Sequence, residues 1–77
     1  MANTVNNKNS NNIIIYSVPE VAEILKTNKS YVYKLIKSGS LPCIKIGHIK
    51  IRHEALASFL EKAEGFDYTD PYNVVAC

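Results

Sequence analysis

The chain has 77 residues, 47% of them hydrophobic and 21% charged, with no Trp and a formal net charge of +2. A chain this short makes one small domain whose core supplies only a few kcal/mol, and its apolar content excludes a wholly disordered or collagen-like polymer. No apolar run approaches the roughly 20 residues of a membrane helix.

Residues 1–12 hold six Asn and, after the initial Met1, a single large apolar residue, Val5. They cannot bury enough surface to offset backbone ordering, so a disordered Asn-rich arm is expected there. Ile13, Ile14, Ile15 and Tyr16 form a β-branched run suited to a short strand. Ser17 then opens S-V-P-E, with Ser17 as N-cap, Pro19 in the first turn and Glu20 at the third helical position, which is a capping box. Val18, Val21, Ala22 and Leu25 follow at i, i+3, i+4 and i+7 and define one apolar stripe. Lys26 and Thr27 end this first helix. Asn28 caps a second, over roughly residues 29–38, which Gly39 stops. Its buried stripe is Val32, Leu35 and Ile36, so Ser30, Lys34 and Lys37 point outward, flanked by Tyr31 and Tyr33. Tyr31 is expected to be the more open of the two tyrosines. Two helices with a three-residue break have helix-turn-helix spacing.

Leu41 and Pro42 lead into C-I-K-I-G-H-I-K-I-R, which alternates with period two on both sides of Gly47 and His48. A two-residue Gly-X loop predicts a hairpin pairing Ile46 with Ile49, Lys45 with Lys50 and Ile44 with Ile51. The isoleucines then share the inner face and the two lysines oppose each other outside, a like-charge pair that costs up to about 1 kcal/mol. A third helix is expected over roughly residues 54–63, with Leu56, Phe59, Leu60 and Ala63 on its apolar stripe, a poor N-cap, and Gly65 closing it. The remaining residues mix aromatics and acids; disorder, docking on the domain and contact with a partner all fit them.

The charge is unevenly placed. Lys26, Lys29, Lys34, Lys37, Lys45, Lys50 and Arg52 make seven cations with no intervening acid, whereas Lys8 and Lys62 face seven acids elsewhere. The middle third is thus +7 and the rest −5, which marks an anion-facing surface. Cys43 and Cys77 form no CxxC pair, and His48 and His53 stand at no metal spacing with them, so no metal or other cofactor is expected. The sequence offers no nucleophile with a positioned base, no phosphate-binding Gly loop and no paired carboxylates in a plausible cleft, Glu20 and Glu23 being explained by capping and a solvated face; no catalytic residue is assigned and no enzyme is expected. The N-terminal residues lack the basic start and apolar stretch of a secretory leader, and lipidation motifs are missing. A soluble, cytoplasmic protein without membrane contact is expected.

The blocks S-V-P-E-V-A-E-I-L, N-K-S-Y-V-Y-K-L-I-K-S-G-S-L-P, K-I-G and E-A-L-A-S-F-L, over roughly residues 15–62, resemble the excisionase-type, MerR-like family of DNA-binding domains of mobile elements. The segment between Gly47 and Glu54 is about one residue shorter than that family's pattern, and the Pro before its third helix is missing. The resemblance implies an α+β fold, a small winged helix-turn-helix of three short helices with a two-stranded β-hairpin wing. The expected division is an arm (1–12), a DNA-binding domain (13–64) and an acidic, aromatic tail (65–77). It also implies that the second helix enters the major groove of double-stranded DNA, with Lys29, Ser30, Tyr31, Tyr33 and Lys34 in reach; Asn28 and Lys37 are added as candidates from their place on the outward face of that helix. The hairpin then lays Lys45, His48 and Lys50 along the backbone or in the minor groove.

Lysines supply sequence-independent affinity. With no Arg on the outward helix face, the commonest bidentate guanine contact is missing, and readout depends largely on DNA shape. The resemblance implies an excisionase-like recombination directionality factor, nucleoid-associated in a bacterial or phage-type host cell. Its partners would be a cognate integrase and further copies of itself bound cooperatively. A small transcriptional regulator with the same surface, and a non-catalytic module that meets an acidic protein, are the alternatives.

Overall fold

A computed structural model describes residues 13–77; the Asn-rich arm expected at 1–12 lies outside the described residues. The element order is β1 (Ile15–Ser17), α1 (Val18–Ile24), α2 (Lys29–Lys37), β2 (Ile44–Ile46), β3 (His48–Arg52), α3 (His53–Ala63), β4 (Phe66–Asp67) and β5 (Val75–Ala76). This is the expected α+β architecture of three short helices and a small antiparallel sheet. β1 adds a third strand to the hairpin, giving the order β1-β3-β2, and β4 and β5 form a separate two-stranded sheet.

The capping box at the start of α1 is complete. Glu20 donates its backbone N–H to Ser17 Oγ at 3.3 Å, and the Ser17 N–H returns a bond to Glu20 Oε1 at 2.8 Å. The bond from the Ser17 backbone, then that with its side chain, and more weakly the charge of Lys50, hold the Glu20 carboxyl below its ordinary value of 4.5. A carboxylate with a lowered folded-state value stabilises the fold above its unfolded value, and the gain is lost as pH falls through the folded value. The melting temperature is therefore expected to fall as pH drops below about 4.5, with a shallower fall in Glu20→Gln. Ser17→Ala should cost about 1 kcal/mol in urea denaturation at neutral pH.

Leu25 closes α1, and Lys26 takes a left-handed conformation with φ +58°. The Thr27 N–H bonds back to the Ala22 carbonyl at 2.8 Å, so the turn satisfies the helix end without a glycine. Asn28 Oδ1 accepts the Tyr31 N–H at 2.9 Å and starts α2. At the far end Gly39 adopts φ +83°, the left-handed stop that a glycine makes without strain.

The core lies where the three helices meet β3. Val18, Val21 and Ala22 of α1, Val32 and Leu35 of α2, Leu41, Ile51 of β3, and Leu56 and Phe59 of α3 are all buried. Leu60, expected on the α3 stripe, is 42% exposed. It sits on the opposite edge of that stripe from Phe59, and the chain after α3 covers the Phe59 edge.

The hairpin register differs from the one expected. Ile44 pairs with Lys50, Lys45 with Ile49 and Ile46 with His48. Gly47, at φ +71°, is the centre of the turn rather than the first of two loop residues. Moving the centre by half a residue changes each partner by one, and a slip of one exchanges faces in a strand of period two. Ile49 and Ile51 turn inward, whereas Ile44 and Ile46 are 39% and 64% exposed. Lys45 no longer opposes Lys50, so the like-charge pair expected from the alternation does not form.

Candidate nucleic-acid interface

α2 carries its apolar stripe inward, which leaves Lys29, Ser30, Tyr33, Lys34 and Lys37 exposed along its outer side. On one flank the chain forms a groove of about 340 Å³ between α2, the start of α1 and β3. Lys29 and Tyr33 line it from α2, His48 and Lys50 from the hairpin, and Ser17 and Pro19 from the α1 end. Four residues that the sequence marked on two separate elements are thus brought to one concavity. The antiparallel pairing of β3 with β1 places Lys50 opposite Ser17, which fixes the strand beside the α1 N-terminus.

The remaining marked residues divide. Lys34 and Lys37 continue the basic face along α2. Asn28 spends its side-chain oxygen on the helix cap. Lys45 pairs with Ile49 and therefore leaves the hairpin on the face opposite Lys50, outside the groove. The two tyrosines exchange the exposures expected for them: Tyr33 is 43% exposed, and Tyr31 is half-buried against the core. The Tyr31 hydroxyl donates to the carbonyl oxygen of Tyr68, in the chain after α3.

That last segment forms a docked hairpin, an outcome the sequence left open. β4 and β5 pair Phe66 with Ala76 and Asp67 with Val75. The Tyr68 ring meets Phe59 edge-on, with centroids 5.2 Å apart. Asp67 and the Asp70-Pro71 step are turn signals, but strands of two residues are too short to show a periodicity.

The only ion pair among the described residues is Arg52–Glu54, at 3.3 Å between exposed side chains. The lysines of α2 and β3 therefore carry charge that no ion pair among the described residues offsets. No described helix is long and apolar enough to cross a membrane.

Two short helices joined through residues 25–28, a second helix with a basic outer side, and a hairpin set beside it define a small winged helix-turn-helix. The pattern of a family described as a helix-turn-helix domain matches residues 15–64, well over half of the 77-residue chain. The chain belongs to that helix-turn-helix domain family. No curated protein and no solved structure matches the chain significantly.

Proposed function

We propose that the protein binds double-stranded DNA with α2 in the major groove and the β2–β3 hairpin as a wing along the adjacent backbone. The observation that carries this reading is the groove that joins Lys29 and Tyr33 of α2 to His48 and Lys50 of the wing. It continues onto a helix face whose Lys34 and Lys37 are exposed. Helix-turn-helix domains place their second helix in the major groove with its N-terminal residues at the base edges. Here those residues are Lys29 and Ser30, with Tyr33 one turn on. The lysines neutralise phosphates, and the scarcity of base-reading side chains leaves much of the choice of site to DNA shape.

The finer reading is an excisionase-like directionality factor that bends DNA at the ends of a mobile element and assists its integrase. The residue blocks that resemble that family support it. So does the small reading surface, which suits a unit that gains specificity from neighbouring copies or from a bound recombinase. Footprinting on the DNA around its own gene and on the ends of any element that carries it tests this. Phased direct repeats beside a recombination end support the excision role; an inverted repeat at a promoter replaces it with a transcriptional regulator.

The wing register gives a separate test of the surface. Lys34→Ala is expected to weaken binding across sequences and lower the salt slope by about 1. Lys45→Ala, on the far face of the hairpin, should change the slope by less than about half that. Equal effects of the two, in titrations of one duplex at several salt concentrations, would show that DNA meets the other face of the wing.

A further inference from the structure

The docked tail touches α2 on the flank that the groove does not use. Tyr31 and Tyr33 lie about 200° apart around the helix, so the contact between Tyr31 and Tyr68 sits across α2 from the wing. The tail turn is well tied. Asp67 accepts the Thr69 N–H at 2.9 Å and its hydroxyl at 2.6 Å, Asp70 accepts the Tyr72 N–H at 3.0 Å, and Pro71 is buried. Asp67 directly precedes Tyr68 and Asp70 follows two residues later, so anchoring Tyr68 on Tyr31 and Phe59 holds both carboxylates at the edge of α2. Their charge is felt there: burial first, then the negative charges of Tyr68, Asp67 and Asp70, raise the Tyr31 phenol above its ordinary value of 10.0. Lys34, part of the basic face, is the i+3 neighbour of Tyr31 on the same helix.

Resting on the DNA-binding reading, we propose that the docked tail is an acidic border to the DNA-facing surface. Asp67 and Asp70 repel phosphates on the Tyr31 flank, confine the duplex to the wing side of α2, and lower affinity for unrelated sequences. Non-specific binding is almost wholly electrostatic and tolerates many orientations. Fixed negative charge on one flank penalises those orientations more than the single register in which the duplex lies against the wing. Like charges set at an interface suppress wrong partners in this way.

The test uses the full chain with Asp67→Asn and Asp70→Asn combined. Asparagine keeps the side-chain oxygen that each turn bond needs and removes only the charge. Affinity is measured for a random-sequence duplex and for the footprinted site, at low and high salt. The double variant is expected to bind the random duplex about 3–10-fold more tightly at low salt, to gain less on the site, and to lose the difference at high salt. Asp70→Asn alone should give part of the same shift, which keeps the test decisive if the double variant folds poorly. Unchanged random-duplex affinity in both variants, with Lys34→Ala still weakening binding, overturns the acidic border alone. A wild-type chain that binds no duplex overturns the DNA reading and the border together.

Discussion

Leu35→Ala should unfold much of the protein at room temperature and neutral pH. Leu35 is completely buried, in the middle of α2, within a core that α1, α2, β3 and α3 share. Truncating a buried leucine costs about 2–5 kcal/mol, because lost transfer energy adds to an unfilled cavity. Stabilities run at roughly 0.05–0.15 kcal/mol per residue, about 3–10 kcal/mol for the described part of this chain. One substitution therefore removes much or all of the margin. Leu60→Ala is the control: that side chain is 42% exposed and its loss should cost about 1 kcal/mol or less. Urea denaturation followed by circular dichroism compares the two. Similar midpoints for both variants would contradict the core placement of α2.

Removing Lys29, Lys34 and Lys50 together should give the largest functional effect. Lys29 and Lys50 both line the groove, one from α2 and one from β3, and Lys34 extends the basic face along α2. Each phosphate contact contributes about 0.9 to the slope of log affinity against log salt. The triple alanine variant should therefore lower that slope by about 2.7. Between roughly 50 and 200 mM salt, the loss of affinity seen in the wild type should shrink by about 40-fold. Two of these side chains are exposed and Lys50 is half-buried beside Ser17, so melting temperature serves as the check on folding. A wild-type slope in a folded triple variant would move the DNA surface elsewhere.

Much of the fold was legible in the chain because its signals are local. The Ser17–Glu20 capping box, the Asn28 cap, the Gly39 stop and the stripes of α1 and α2 each span less than three helical turns, and each is where the spacing put it. Lys29, Tyr33 and Lys50 could be marked as candidates from charge and helical phase, but their meeting in one groove depends on β3 pairing with β1 beside the start of α1. The alternation of the hairpin was also visible. Taken alone it favours the register that puts Ile44, Ile46, Ile49 and Ile51 on one face, whereas the observed turn, centred on Gly47, puts the two pairs on opposite faces.

The sequence by itself determined the helices, their caps and the separation of a basic middle from acidic flanks. Each of these follows from side chains within a few positions of one another. Only the tertiary structure decided which isoleucines face inward: Ile49 and Ile51 reach the core, and the turn centred on Gly47 leaves Ile44 and Ile46 on the other face of the hairpin. It also decided the fate of Tyr31, whose partner Tyr68 stands 37 residues away. A helical wheel places Tyr31 on the rim of the basic face. Whether that rim meets water or another part of the chain is set by a contact between distant residues, and no local pattern encodes it.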